Sequence, residues 1–253
     1  DIGHIPGIGT QALAGIGVAG SLIILISAFS AIVAGGGAPL AAIALGQGNR
    51  THAGKILGNG FVLLLFFTLL TSGLSYLFME PILLFTGASE QTLGYATAYL
   101  SIYLIGTLFV EVSVGLNTFI NTQGRPGIAM LSIVIGALLN ILLDPLFIFV
   151  FDWGVKGAAL ATIISQACSA GWVLFFLTSR RASLRLEPRY MRLDRKVVGA
   201  ILALGASPFI MASTESLVGF VLNGSLKTFG DIYVSALTIM PVSYTHLRAH
   251  ETT

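Results

Sequence analysis

Long apolar runs, interrupted only by small or weakly polar residues, alternate along the chain with short polar segments. A helix needs about 20 mostly apolar residues to cross the hydrocarbon core of a bilayer. Six runs reach that length, at 11–45, 56–79, 93–120, 128–150, 158–177 and 197–222, and a seventh starts near Ile232 and runs to Met240. Each far exceeds the roughly 10 residues of a transmembrane strand and lacks strict alternation, so the prediction is helix. The first run is too long for one straight span. It contains Gly35-Gly36-Gly37-Ala38-Pro39, where glycine and proline loosen the backbone ladder, and a bend is predicted there. The expected fold class is all-α, a polytopic membrane helix bundle.

Composition agrees. Hydrophobic residues make up 55% of the 253 positions and charged residues 9%, with a mean hydropathy of +0.89. A soluble domain carries about 25% charged residues, so a water-facing surface cannot be built from this inventory. The net charge of +2 is less informative than its distribution. Segments after the first, third and fifth runs hold Arg50, Lys55, Arg125, Arg180, Arg181, Arg185, Arg189, Arg192, Arg195 and Lys196. The opposite loops hold Lys156 and Lys227, with Glu80, Glu90, Asp152 and Asp231 beside them. Basic loops face the cytoplasm, which places the first group inside and has the chain entering from outside. The single cysteine, Cys168, excludes an intrachain disulfide.

Residues 178–196 form the one long polar connection. Their spacing of Arg with Leu184, Leu186, Tyr190, Met191 and Leu193 suits either an amphipathic helix on the membrane surface or a solvated linker whose arginines enforce topology. The linker is the favoured reading, and in both cases the segment is the expected boundary between two bundles, 1–177 and 197–241. The tail breaks the pattern. Residues 242–253 read Val-Ser-Tyr-Thr-His-Leu-Arg-Ala-His-Glu-Thr-Thr. Back-translated, this string matches one reading frame of a common transposon-end sequencing adapter, so it is expected to be foreign to the fold. His246, His250 and Glu251 are not read as metal ligands. Asp1 opens the chain with neither an initiating Met nor a basic n-region, so no signal peptide is read.

An ionisable group inside a membrane costs about 2.5–3.5 kcal/mol or more at mid-helix, and three acids lie in the runs: Glu111, Asp144 and Glu215. Asn140 stands one helical turn before Asp144, so both side chains share a face. Pro145 follows and leaves the Ile141 carbonyl without its helical donor. A carboxylate, an amide oxygen and a freed carbonyl together suit a hard cation such as sodium, and Asp144 alone suits a proton. A buried Asn–Asp pair bonding a neighbouring helix fits the spacing equally well. Glu215 lies in Ser213-Thr214-Glu215-Ser216, seven residues after Pro208, and a kinked helix with a central acid suits a transport pathway. Glu111 shares its helix with Ser113, Asn117, Thr118 and Asn121, a polar stripe suited to lining a cavity or to binding adjacent helices. No His-Glu-x-x-His, Gly-x-Ser-x-Gly or Walker-type phosphate cradle occurs. The chain is therefore not read as an enzyme, and pumping would draw on an ion gradient or another subunit.

Three segments carry a resemblance: Gly-Leu-Asn-Thr-Phe-Ile-Asn-Thr-Gln-Gly (115–124), Asn-Ile-Leu-Leu-Asp-Pro-Leu-Phe-Ile-Phe (140–149) and Gly-Val-Lys-Gly-Ala-Ala-Leu-Ala-Thr (154–162). With Ile-Gly-His-Ile-Pro-Gly (2–7), Ala-Leu-Gly-Gln-Gly-Asn (44–49) and Leu-Gly-Ala-Ser-Pro-Phe-Ile-Met (204–211), they resemble the multidrug and toxic compound extrusion (MATE) family. The resemblance implies a twelve-helix fold of two six-helix lobes, of which this chain would supply the first lobe without its first helix and the start of the second. It implies antiport of drugs against sodium or protons by alternating access, in the plasma membrane. It also implies a first-lobe cation site at Asn140, Asp144 and Thr162, with Asn117 as a neighbour, and a second-lobe coupling acid at Glu215. The family's first helix ends with an acid a few positions before the Ile-Gly pair. Here Asp1 abuts Ile2-Gly3 directly, so Asp1 is left out of the site.

The expected partners are drug-like, often cationic small molecules, a coupling Na+ or H+, and membrane lipid. No cofactor, nucleic acid or obligate protein partner is expected. A lipid-linked precursor flippase of related architecture is the alternative, but it would want a basic cavity for diphosphate, and the apolar runs hold no Lys or Arg. A membrane-embedded enzyme lacks its motifs, and a receptor would bind ligand without flux.

Overall fold

The computed structural model describes residues 9–230 and 232–238, and among them the secondary structure is helical. The elements are α1 (Thr10–Ile32), α2 (Ala38–Gly46), α3 (Arg50–Leu77), α4 (Met79–Phe85), α5 (Glu90–Asn121), α6 (Pro126–Pro145), α7 (Gly154–Thr178) and α8 (Arg195–Lys227). Six continuous helical stretches are long and apolar enough to cross a membrane: Thr10–Gly46, Arg50–Leu77, Glu90–Asn121, Pro126–Val150, Gly154–Thr178 and Arg195–Lys227. These are the six predicted runs with their ends shifted by a few residues, and polar residues cap the starts of α3, α5 and α8. Asn49 accepts from the His52 amide at the start of α3, Ser89 and Thr92 close a reciprocal capping box on α5, and Asp194 accepts from the Lys196 amide on α8. Each cap satisfies backbone donors that a helix start leaves free. Residues 232–238 are helical too, where the seventh run was expected. Asp1, the motif at 2–7, the end of that run and the segment 242–253 with His246, His250 and Glu251 lie outside the described residues.

The bend in the first run is a π-helical turn, Val33–Gly37, which joins α1 to α2 without breaking the helix. Pro145 likewise does not end its helix, which continues as a second π turn, Leu146–Val150. A wider turn absorbs the residue that a proline or a run of glycines cannot hold in the ordinary ladder.

α5 is the most buried span and packs against α1, α3, α6 and α7. α6 lies at the periphery, with Ala129, Ser132 and Gly136 its buried residues. Its outward Leu138, Ile141 and Leu142 are exposed, as lipid-facing side chains are in a bilayer, where no hydrophobic force drives helices together and close packing and hydrogen bonds do so instead. Ser169 Oγ donates to Ser132 O at 2.7 Å and Trp172 Nε1 to Ile128 O at 3.2 Å, tying α7 to α6. α8 packs along α1 and its π turn, with Ser216 Oγ donating to Ser21 O at 2.6 Å and Asn223 Nδ2 to Ser21 Oγ at 3.1 Å.

The segment 178–196 is not a surface helix. It is a linker with exposed arginines and one 3-10 turn, Pro188–Tyr190, folded back as an irregular strap onto the helix ends. Ala182, Leu184 and Leu186 are buried. Asn59, fully buried on α3, holds the strap with its amide. Its Nδ2 donates to Tyr190 O and Arg192 O, both at 3.1 Å, and its Oδ1 accepts from Asp194 N at 2.7 Å. Gln123 Oε1 accepts from Leu184 N at 2.9 Å. Asn59→Ala leaves these backbone groups without partners, at about 1–3 kcal/mol for each buried one. The expected result is faster tryptic cleavage at the strap arginines, followed on gels; an unchanged cleavage rate would mean that apolar packing alone fixes the segment.

Candidate functional site

Asn140 and Asp144 project from one face of α6, as their spacing requires, and Asn140 Nδ2 donates to Asp144 Oδ1 at 3.3 Å. Both are half-buried. Across from them, Thr162 of α7 gives its hydroxyl proton to Ala158 O at 3.0 Å, which leaves the oxygen's lone pairs as acceptors. Asn117 of α5 donates from Nδ2 to Ala129 O at 3.2 Å, while its buried Oδ1 has no partner. Asn117, Asn140 and Thr162 line one cavity of about 490 Å3 between α5, α6 and α7. Asp144 is not among its lining residues and reaches it through Asn140. The cavity is also lined by Ser113, Thr118, Asn121 and Ser165, and Ser165 Oγ is buried without a partner. Asn117 and Ser165 thus bring buried oxygens without partners to the wall of this cavity, and oxygen is the donor that a hard cation takes.

Tyr99 of α5 is a residue that the sequence reading missed. Its hydroxyl sits beside Thr162 and within electrostatic reach of Asp144, and its ring stacks on Tyr103 with centroids 5.9 Å apart. Read along the sequence, a tyrosine inside an apolar run looks like span filler. The signal was the phenol, which needs a hydrogen-bonding partner when buried.

The polar stripe of α5 divides in two. Ser113, Asn117, Thr118 and Asn121 face the cavity, whereas Glu111 turns toward α1, where Ser27 Oγ donates to its Oε1 at 2.7 Å. Glu111 is 2% exposed and its Oε2 has no partner. Glu111 is therefore not part of the cavity lining. Glu215 of α8 is exposed, on the face away from Ser216, which is buried against α1. Glu215 is not among the residues that line the cavity beside the Asn140–Asp144 pair.

Six apolar spans among the described residues, with a cavity carrying polar side chains between α5, α6 and α7, define a multi-pass α-helical membrane protein. The MatE family model matches residues 2–146, and the chain belongs to that family. The multidrug export protein MepA of Staphylococcus saprophyticus subsp. saprophyticus is 30% identical over 160 residues, which are 63% of this chain and 36% of that protein. MepA of Staphylococcus aureus (strain bovine RF122 / ET3-1) is 28% identical over 162 residues, again 36% of its length. Among solved structures, the MATE multidrug transporter DinF-BH, solved in complex with a small-molecule ligand, aligns at a TM-score of 0.86 and 31% identity, covering 94% of this chain and 53% of that one. An inward-facing multidrug resistance MATE family transporter of the MOP superfamily aligns at 0.86 and 24% identity, over 92% of this chain and 54% of its own, a likeness of fold alone. The chain thus spans about half the length of those solved relatives, and its matched stretch about a third of the MepA proteins.

Proposed function

We propose that this chain belongs to a cation-coupled antiporter that exports drugs and other amphipathic, often cationic organic compounds across the plasma membrane. The observation that carries the reading is the oxygen-lined cavity between α5, α6 and α7, with Asn117, Asn140 and Thr162 on its wall and Asp144 bonded to Asn140. The multidrug export relatives and the small-molecule complex of a similar transporter support a drug-like substrate class. Na+ or H+ would bind at the Asp144 end of the cavity. Each of drug and cation would be bound more tightly in one of two lobe arrangements, which is how one gradient drives the other. Glu215 would be a coupling acid of the second lobe. In this reading residues 1–177 belong to the first lobe, 178–196 join the lobes on the cytoplasmic side, and 197–241 begin the second.

The test is uptake of ethidium, a fluorescent amphipathic cation, into inverted membrane vesicles containing the intact protein. Accumulation that collapses when an ionophore dissipates the Na+ or the H+ gradient is the expected result and names the ion. Uptake indifferent to both ionophores would overturn the coupling.

A further inference from the structure

We infer that the strap 178–196 and the ends of α3 and α8 form a binding site for the phosphate headgroup of an anionic phospholipid. The strap's backbone is fixed by Asn59 and Gln123, and Tyr190 lies directly on α3: a Cβ on Gly58 would collide with the Tyr190 carbonyl, and one on Gly54 would come within 2.7 Å of its ring. Two adjoining clefts flank Tyr190. Arg50, Arg185 and Arg189 line one of about 230 Å3. Lys55, Arg189, Arg192 and Arg195 line the other, of about 440 Å3. The acids lining them, Glu187 and Asp194, are already engaged. Glu187 Oε2 meets Arg189 Nε at 2.6 Å, the one ion pair among the described residues, and Asp194 caps α8. Arg189 is further held with its guanidinium 4.6 Å from the centre of the Tyr190 ring.

The result is a surplus of positive charge on a pre-formed backbone, so binding an anion orders little that is not already ordered. Arginines present planar forks of N–H donors that match phosphate oxygens. The height of the site selects a lipid over a soluble anion. Arg50 and Arg195 precede the apolar runs that begin at 56 and 197, and their long side chains reach toward the headgroup layer from there. Leu193, 58% exposed, lines the larger cleft among the cations and offers apolar surface to a glycerol or acyl chain. Basic pockets at helix ends recognise anionic headgroups in this way. The inference rests on the membrane-spanning reading and not on transport, so its test reads binding.

The intact protein, purified in detergent, is given equal phosphatidylglycerol and phosphatidylcholine, and the retained lipid is counted by native mass spectrometry. Phosphatidylglycerol is expected to be retained in preference. Arg185→Gln, Arg189→Gln and Arg192→Gln together lower its affinity on the order of a hundred-fold, since each basic residue near the surface contributes roughly five-fold. Arg180→Gln with Arg181→Gln, both exposed and outside the two clefts, leaves it within about two-fold, because solvent and salt screen charges that do not touch the bound headgroup. Equal loss in the two variants would mean diffuse surface charge and overturn the site. Displacement of the lipid by inorganic phosphate at matched concentration would make it a free-anion site and overturn the headgroup assignment. Should the triple variant not fold, Arg189→Gln alone, at the shared wall of both clefts, carries the same expectation at about five-fold, and no change there overturns the site.

Discussion

Asp144→Asn is expected to abolish the response of dye transport to the ion gradient while the protein still folds and reaches the membrane. Asparagine keeps the shape, and its amide oxygen still accepts from Asn140 Nδ2, as Asp144 Oδ1 does at 3.3 Å. What is lost is the charge and the proton site, and an amide supplies neither. A coupling free energy of about 1–3 kcal/mol corresponds to roughly 5–150-fold, so gradient-driven accumulation in inverted vesicles falls by at least about five-fold on that scale. Downhill exchange of dye, which needs no coupling, persists. Asn140→Ala is milder, because it removes one amide oxygen and one hydrogen bond but leaves the carboxylate. Ion-driven efflux at the wild-type rate in Asp144→Asn would show that coupling resides elsewhere.

Gly205→Ala is the second large effect, and it acts on folding. α8 crosses the π turn between α1 and α2 at backbone contact. A Cβ on Gly205 would collide with the Ile32 carbonyl oxygen and lie 2.8 Å from its Cα, and a Cβ on Gly36 would collide with the Ile201 carbonyl oxygen. The obstructing atoms are backbone, so no rotamer change relieves them. Small residues at such crossings let helices approach in a bilayer, where packing replaces the hydrophobic drive between them. Overpacking costs about 1–3 kcal/mol, and here the cost is toward the upper end because two helices must separate. Gly36→Ala repeats the effect, and the double variant is less than additive because both report one crossing. Gly199→Ala and Gly224→Ala meet nothing within 4 Å and are expected to be neutral or stabilising by up to about 1 kcal/mol through helix propensity. Thermal stability of the detergent-solubilised protein separates the two groups. A Gly205→Ala protein as stable as Gly199→Ala would contradict the close crossing.

The six spans were legible because bilayer crossing imposes a length and a composition on each segment independently of tertiary structure. The pairing of Asn140 with Asp144 was legible for a local reason too, since residues one turn apart on a helix share a face. Asn117 and Thr162 entered by resemblance, and the fold places both on the cavity wall. Glu111 stands apart from the stripe on its helix because two residues turn a helix by about 200°. Ser113, Asn117 and Asn121 follow one another at single turns, while Glu111 lies on another face. The docked strap was not legible because its partners are distant in sequence: Asn59 and the glycines of α3 hold it, and its own residues read as an ordinary polar linker. Tyr99 was hidden by its aromatic ring, which suits an apolar run as well as it suits the site.

In the proposed antiport, drug and cation cross in opposite directions through one protein. The most direct measurement is made on the intact protein in proteoliposomes with no imposed gradient, with ethidium added on one side and the movement of Na+ and of H+ recorded. Dye entry is expected to drive one of these cations out, and Asp144→Asn to abolish the cation signal. Dye entry with no movement of either cation would contradict the antiport.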